Sequence, residues 1–379
     1  MKKDAKYLKL EKEIEKQAKL IENYEASISL LRHLKKIPLL GGMVRFLANA
    51  IRVESFRGTR IESKIEGKSP EIIAVVNPFF RGVSSATGEM VKDIFFVTEI
   101  FSRITAKNVA KQILAYKPRK VLISGYAKGH ELLVEELYKL EPELRIFVLV
   151  HSAFIWFDEH PSENVVFERF IDLAKQGIVE KIGFCKRDLA EYFKAEGVNT
   201  FFVMNRFYPE KHGYKKLSND SLKIGIWGKN VWHRNITNQV IGGILNGKVE
   251  INVNEVGNHF FLRDKNIKIH GFLPKGEFLK LFSQMDINLY ISLTECFPMT
   301  VIESMQYGIP CLVSDTSDVY KFSPYLKEKL TVSSIDSPLG ISKKIDNVVV
   351  DYLKIQEEIK NYLPALKEKT EKSIEEFLK

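Results

Sequence analysis

Short apolar runs separated by helix-length amphipathic stretches recur along most of this chain. In the first half they fall at residues 72–77, 120–124, 145–151, 181–185 and 200–205. Strands that alternate with helices indicate βαβ units and a parallel sheet. A second set of the same kind extends over about 222–333, and 379 residues exceed what one hydrophobic core usually organises. The sequence therefore predicts two α/β domains, with the polar, turn-rich segment 209–221 as their linker.

Two carboxylates, Glu295 and Glu303, span the point where a predicted strand at 287–291 gives way to a helix. The next predicted strand follows at 310–314. In open α/β sheets, ligands bind beyond the carboxyl ends of the strands, where helix N-termini offer free backbone N–H groups to anions. The segment therefore indicates a site for phosphate and hydroxyl groups. Taken alone, the pair is also compatible with a capped helix that carries two solvated acids.

The spacing of Glu295 and Glu303 resembles the E-x7-E signature of retaining, nucleotide-sugar-dependent glycosyltransferases of the GT-B fold, the family-four type. Gly308 and Pro310 also stand where that family ends its helix with G-x-P. The resemblance implies that Glu295 faces the donor sugar and that Glu303 accepts hydrogen bonds from the ribose hydroxyls. It further implies that the diphosphate or sugar is met by the backbone of Phe297, Pro298, Met299 and Thr300.

A second segment supports the same resemblance. Gly228 and Lys229 follow a strand-like run, and Arg234 and Asn235 come after four intervening residues. Family members usually show Gly-Arg, four residues and Lys-Gly here, with both cations on the donor diphosphate. The spacing is kept, the two cation types are exchanged, and Asn235 replaces the Gly. Arg offers phosphate a planar fork and Lys a point charge. The resemblance implies that Gly228, Lys229 and Arg234 bind the diphosphate; without it, both cations would be solvated surface groups.

Four further residues match the family less specifically. Gly271 and Phe272 follow a strand-like run at 266–270 and are implied to line the nucleobase pocket. His151 ends a predicted strand where many family members carry a His that faces the donor across the cleft; a hydrogen-bonded strand-end histidine is the alternative. Asn205 corresponds to the family's Asn before the linker, and we expect it to hold that turn.

The segment 79–88 follows the first predicted strand and is rich in glycines and hydroxyls. The resemblance implies that this loop forms the acceptor side of the cleft, with Arg81, Gly82 and Ser84 as its contacts. The same composition is typical of an ordinary strand-to-helix turn with a Thr cap.

The resemblance thus implies a GT-B architecture, in which two Rossmann-like domains face a cleft. We expect a coiled-coil helix at 1–36, a basic amphipathic linker helix at 37–66, a Rossmann-like acceptor domain at 67–212, a Rossmann-like donor-nucleotide domain at 218–349 and C-terminal helices at 350–379.

The predicted activity is transfer of a sugar, with retention, from a nucleoside-diphosphate donor to a hydroxyl of a glycan or lipid-linked acceptor in cell-surface glycan assembly. Glu295, Lys229, Arg234 and His151 are its candidate catalytic residues. We expect no cofactor and no metal ion, since no Asp-x-Asp-like motif stands in a suitable loop. One alternative is a glycoside hydrolase with Glu295 and Glu303 as acid and base, which the missing barrel pattern and the paired cations disfavour. The other is a non-catalytic GT-B-like module that binds a glycan or stabilises a partner.

The N-terminal region carries a different pattern. Apolar residues repeat at a and d positions over 7–31, with Gln17 as one polar interruption, which predicts a coiled coil and a homo-oligomer. A single amphipathic helix on the catalytic body is the alternative. Residues 32–60 are basic and apolar together, as in segments that lie in an anionic membrane interface; a packed helix pair is equally compatible.

Charge and cysteine content limit the partners. A formal net charge of +9 favours anionic partners such as nucleotide donors, phospholipid or a pyrophosphate-linked acceptor. Nucleic acid is not expected, because no recognisable binding module accompanies the charge. The three cysteines fit a reducing compartment, and no apolar run is long enough to span a bilayer. We expect a cytoplasmic protein, with peripheral contact at the inner face of the membrane.

Overall fold

The computed structural model describes residues 59–379 apart from 154, 209–215, 219, 264 and 265, and describes 159 and 162 by their backbone only. The predicted coiled coil at 7–31 and almost all of the basic segment at 32–60 lie outside the described residues. The helix expected over 37–66 does not extend to its C-terminal bound, because Ile61–Lys64 is a β-strand. Most of the predicted linker also lies outside the described residues.

The first domain is built on a sheet of seven strands within the described part of the chain. They are β1 (Ile61–Lys64), β2 (Ile72–Val76), β3 (Ile94–Val97), β4 (Lys120–Ser124), β5 (Arg145–Val150), β6 (Lys181–Phe184) and β7 (Thr200–Phe202). Their order is β1-β3-β2-β4-β5-β6-β7, and all pairs are parallel except β1 with β3. The predicted parallel sheet is confirmed, although β1 and β3 were not predicted.

Helices cover both faces of this sheet. They are α1 (Arg81–Met90), α2 (Arg103–Leu114), α3 (His130–Leu140), α4 (Ile155–Glu159), α5 (Pro161–Lys175) and α6 (Arg187–Ala195). Alternate residues of a strand point to opposite faces. Ile73 and Val75 of β2 therefore join a core with α2, α3 and α5, whereas Ala74 and Val76 join a second core on the other face.

The second domain has a parallel sheet of six strands among the described residues. They are β8 (Leu222–Ile226), β9 (Val249–Val253), β10 (Ile267–Ile269), β11 (Ile287–Tyr290), β12 (Cys311–Ser314) and β13 (Thr331–Val332), in the order β10-β9-β8-β11-β12-β13. The helices are α7 (Ile236–Ile244), α8 (Lys275–Phe282), α9 (Met299–Gln306), α10 (Pro324–Leu330) and α11 (Pro338–Val350). Two Rossmann-like sheets are therefore present, as predicted.

The C-terminal segment is one helix, α12 (Tyr352–Leu378), of 27 residues, with Pro364 inside it. Its first half packs in the core of the second domain through Ile355 and Ile359. Its last turns pack on the first sheet, where Ile374 and Phe377 join the core with Phe147. The two aromatic rings of Phe377 and Phe147 are 5.6 Å apart in an edge-to-face arrangement. One helix thus belongs to the cores of both domains.

Each sheet has one point where the strand order reverses. In the first sheet this point lies between β2 and β4, and in the second between β8 and β11. The loops that leave the carboxyl ends of two such strands diverge and open a crevice, which is where open α/β sheets bind ligands. In the second sheet these loops are 227–235 and 291–298, which contain the predicted donor residues.

Candidate active site

The loops after β8 and β11 bring Arg234 and Glu295 together as an ion pair. Nη1 of Arg234 also donates to Tyr290 Oη at 2.7 Å and to Ser292 Oγ at 3.4 Å. Burial by itself would lower the pKa of Arg234, but the neighbouring Tyr290 and Glu295 outweigh it and the pKa is raised. The guanidinium therefore stays charged. Since all these contacts use Nη1, the donors on Nε and Nη2 are not used by them.

Local backbone geometry suits an asparagine next to this arginine. Trp232–Arg234 is a single 3₁₀ turn that ends at Asn235, whose φ is 56°. Asn is among the few non-glycine residues that adopt this left-handed conformation readily. Gln239 of α7 then ties the two loops together, because its amide donates to Arg234 O at 2.8 Å and accepts from Ile291 N at 2.9 Å.

The predicted diphosphate loop and the predicted nucleobase loop are joined by one buried side chain, Asn254. Its Oδ1 accepts from Gly228 N at 2.9 Å, and its Nδ2 donates to Gly271 O at 2.7 Å. Both glycines have positive φ, 126° and 66°, where a side chain would be strained. Lys229 follows Gly228 and is exposed. Phe272 follows Gly271, with 47% of its surface exposed.

The donor motif runs into helix α9. Pro298 precedes the helix, and Met299 and Thr300 are its first two residues, so their N–H groups have no acceptor within the helix. Glu303 lies one turn further and is half-buried. Burial raises the pKa of Glu303; Lys275 opposes this effect and Glu89 adds to it. Glu89 belongs to α1 of the first domain.

The predicted acceptor-side residues lie on a helix, which corrects the expectation of a loop. Arg81, Gly82 and Ser84 form the first turn of α1, and Ser84 N donates to Phe80 O at 2.8 Å. In the strand-to-helix alternative a Thr caps the helix, but Thr87 is buried inside the helix, with its hydroxyl 2.6 Å from Ser124 Oγ. Among the buried or half-buried positions, 83, 86, 87 and 90 have helical spacing, and the Gly, Ser and Thr content made this pattern hard to recognise in the sequence. Arg81 and Gly82 are exposed.

His151 is hydrogen-bonded inside the first domain. Its Nε2 is 3.0 Å from Ser124 Oγ and its Nδ1 is 3.5 Å from Cys185 Sγ. Burial lowers the pKa of His151 to about 4, so the ring is neutral at physiological pH. Both ring nitrogens are thus used by protein groups, as in the strand-end alternative. A contact between His151 and the donor stays a prediction.

Two residues that sequence reasoning did not assign to the site hold the donor motif against the first domain. Lys186, at the start of α6, donates to the carbonyl oxygens of Glu295, at 2.9 Å, and of Thr316. Asn205, which was predicted to hold only the linker turn, donates from Nδ2 to Phe297 O at 2.7 Å. No local pattern marks Lys186, because its acceptors are backbone carbonyls more than 100 residues away.

Residues 185–362 match the family model described as "Glycosyl transferases group 1". Among solved structures, HepE from Anabaena in complex with UDP-glucose has a TM-score of 0.60 at 12% identity, over 81% of this chain and 98% of that chain. The chain has the GT-B fold. A UDP-forming α,α-trehalose-phosphate synthase from Burkholderia xenovorans has a TM-score of 0.53 at 10% identity, over 81% and 97% of the two chains. Sucrose-phosphate synthase from Thermosynechococcus elongatus has a TM-score of 0.54 at 11% identity, over 78% of this chain and 94% of that chain.

No curated protein sequence matches this GT-B chain significantly. The family-model match begins at Cys185, so it includes the second domain together with the residues of the first domain that hold the donor motif, Lys186 and Asn205. In this GT-B protein a groove of about 420 Å³ lies between α6, β7 and α12. None of the residues that line it belongs to the candidate site.

The described part of this GT-B chain contains no group of three or more His, Cys, Asp or Glu side chains that could hold a metal ion. Within the same residues, no helix combines the length and the apolar character needed to cross a bilayer.

Proposed function

We propose that this protein is a retaining glycosyltransferase that moves a sugar, of hexosyl type, from a nucleoside-diphosphate donor to a hydroxyl of a glycan or lipid-linked acceptor. We place it in cell-surface glycan assembly. The observation that carries the proposal is the Arg234–Glu295 ion pair at the strand-order reversal of the second sheet. The family-model match and the fold it shares with enzymes of nucleotide-sugar chemistry support it.

In the proposed complex, the donor diphosphate lies between Lys229 and Arg234. Lys229 offers an exposed ammonium, and Arg234 offers the Nε and Nη2 donors that its contacts with other described residues leave unused. The N–H groups of Met299 and Thr300 at the start of α9 add partial positive charge. Preorganised donors of this kind stabilise the charge that develops on a departing diphosphate.

Glu295 then lies beside the donor sugar, and Glu303 accepts hydrogen bonds from the ribose hydroxyls. The bond between the anomeric carbon and the diphosphate oxygen breaks while the acceptor oxygen bonds to the same face of that carbon. The acceptor proton passes to an oxygen of the leaving phosphate, so no protein nucleophile is needed. We propose that no metal ion takes part, because Lys229, Arg234 and the start of α9 supply the positive charge that the departing diphosphate needs.

A second candidate function is a GT-B-like module without activity. The observation that favours it is the composition of the predicted diphosphate loop, where the positions of the Lys and Arg are exchanged and Asn235 replaces a Gly. Such a module would bind a glycan or stabilise a partner, and the predicted homo-oligomer through 7–31 would belong to that role. Nucleotide binding separates the two functions.

The test is a thermal-shift panel of nucleoside diphosphates with wild type, Lys229→Ala and Glu303→Ala. Two control variants, Lys343→Ala and Glu357→Ala, remove exposed charges of the same types from α11 and α12. We expect one nucleotide to stabilise wild type and both controls, and to stabilise the two site variants much less. No shift with any nucleotide would favour the module without activity.

A further inference from the structure

Five polar side chains form a continuous row along the carboxyl edge of the first sheet, and the row ends on the donor motif. Each comes from a different element: α1, the end of β4, and the segments that follow β5, β6 and β7. Thr87 Oγ1 lies 2.6 Å from Ser124 Oγ, which lies 3.0 Å from His151 Nε2. On the other side of the ring, His151 Nδ1 lies 3.5 Å from Cys185 Sγ, which lies 3.5 Å from Asn205 Oδ1. The last distance is 2.7 Å, from Asn205 Nδ2 to Phe297 O.

The direction of each hydrogen bond follows from the last one. The carbonyl oxygen of Phe297 only accepts, so the amide nitrogen of Asn205 faces it and Oδ1 faces Cys185. Cys185 is buried, which raises the pKa of its thiol well above the usual value. The thiol therefore keeps its proton and donates it to Oδ1. Its sulfur is left as an acceptor for His151.

The same logic assigns the proton on the histidine ring. Because the sulfur accepts, Nδ1 of His151 carries the hydrogen and donates. The ring is neutral, so Nε2 is an acceptor and takes the hydroxyl proton of Ser124. Ser124 oxygen in turn accepts from Thr87. All five hydrogen bonds then point in one sense, from α1 towards the donor motif.

We propose that Asn205 and Cys185 are positioning residues of the donor site, and that they act through a chain of hydrogen bonds in which His151 is the Nδ1–H tautomer. The chain fixes the Phe297 carbonyl, and thereby the start of α9, relative to the first domain. This inference rests on the proposed function, because Phe297–Thr300 is the segment assigned there to the donor. The packing agrees: Cys296 lies in an apolar core of the first domain with Cys185 and Val203.

The functional test compares two Asn→Asp substitutions. Asn205→Asp keeps the side-chain shape but removes the donor to Phe297 O. Asn246→Asp is the matched control, since Asn246 Nδ2 donates to Ser342 O at 2.9 Å between α7 and α11. We expect both to lower Tm, and only Asn205→Asp to weaken binding of the stabilising nucleoside diphosphate, by about tenfold for one lost hydrogen bond. Equal affinities of the two variants would overturn the positioning role.

A pair of cysteine variants adds a rescue measurement. Cys185→Ser retains one donor and one acceptor, whereas Cys185→Ala removes both. We therefore expect nucleotide affinity near that of wild type for Cys185→Ser and a severalfold loss for Cys185→Ala. Equal affinity of Cys185→Ala and wild type would contradict the chain.

The tautomer is measured without any nucleotide. ¹⁵N-histidine NMR at pH 7 should show His151 as the neutral Nδ1–H tautomer, with its signals assigned by their absence in His151→Gln. Cys185→Ala should lower the fraction of His151 in the Nδ1–H tautomer. An Nε2–H tautomer or a charged ring in wild type would overturn the inference even if the protein is a transferase. If the tautomer is Nδ1–H and no nucleotide binds wild type, the proposed function fails and the positioning role fails with it.

Discussion

At the scale of single residues, the spacing of the two motifs predicted Lys229, Arg234, Glu295 and Glu303, but not that Arg234 would pair with Glu295. Pairing depends on β8 and β11 being neighbours, which no local pattern reports. Asn254 and Gln239 were missed for the same reason. Each joins two loops that are distant in sequence, and neither stands in a motif.

The ion pair predicts opposite effects on binding and on turnover in Glu295→Gln. The substitution removes the negative charge that competes with a diphosphate for Arg234. We expect nucleoside diphosphate to bind severalfold more tightly, while turnover with the matching donor sugar falls by about 100-fold, as for loss of one transition-state contact. Calorimetry and a product assay measure the two effects. The control is Glu255→Gln, which removes the charge of a carboxylate that accepts a hydrogen bond from Asn230 N, in the loop 227–235 that carries Arg234. Weaker binding in Glu295→Gln would contradict this account.

The buried histidine of α3 predicts a loss of stability in acid. His130 is 0% exposed, accepts from Ala127 N at 3.2 Å and lies 3.1 Å from Thr98 O. Burial lowers its pKa from 6.5 to about 4, against smaller opposite effects of the backbone. Between these values the unfolded chain takes up a proton that the folded chain does not. Stability is therefore fully present above pH 6.5 and falls as the pH falls, by about 1.4 kcal/mol per pH unit.

Urea unfolding at pH 5 and pH 7 tests this, with wild type beside His130→Gln. The loss of unfolding free energy between the two pH values should be about 2 kcal/mol smaller in the variant. Between pH 7 and pH 8 the two proteins should change in parallel, since this group titrates in neither state. If both proteins lose the same unfolding free energy between pH 7 and pH 5, His130 is not the source of that loss.

At the scale of elements, the apolar runs predicted as strands are strands, including the four-residue β6 and β11, whereas β1, β3 and β9 were missed. β9 alternates apolar with polar residues although it lies inside the sheet. Helix α1 was concealed by its Gly, Ser and Thr content. These elements are stabilised by the neighbouring strands and helices that cover them. The local sequence does not show which neighbours those will be.

The end of helix α2 carries a strained residue. Lys117 has a φ of 52°, outside the candidate site. A side chain costs about 1 kcal/mol in this left-handed conformation, and Gly does not. Lys117→Gly should therefore raise the free energy of unfolding by about 1 kcal/mol. Lys117→Ala, which removes the same charge but keeps Cβ, should give no such gain. Equal effects of the two would indicate that charge, not backbone, matters here.

At the scale of the whole molecule, two α/β domains were predictable from the alternation of strands and helices. The course of α12 was not, because its apolar stripe does not say which sheet each turn will meet. Its last turns contact β6 and β7 of the first domain: Lys181 Nζ donates to Glu376 O at 3.0 Å, and Ser373 Oγ accepts from Met204 N at 3.1 Å.

One glycine permits this docking. A Cβ at Gly183 of β6 would lie 2.8 Å from Val203 and 2.9 Å from the Phe377 ring. Gly183→Ala should therefore displace the end of α12 and cost about 1–3 kcal/mol of unfolding free energy. Gly276→Ala in α8, where a Cβ meets nothing within 4 Å, is the matched control and should not destabilise the protein, since Ala favours a helix more than Gly does. A Gly183→Ala protein as stable as this control would mean that α12 docks loosely.

Because α12 completes the cores of both domains, neither domain can lose its structure while the other keeps a full core. Heat or denaturant should therefore melt the two as one cooperative unit, without a populated half-folded species. Trp156 lies in the first domain and Trp227 is buried in the second. Their fluorescence, followed separately in single-tryptophan variants, should trace one common transition.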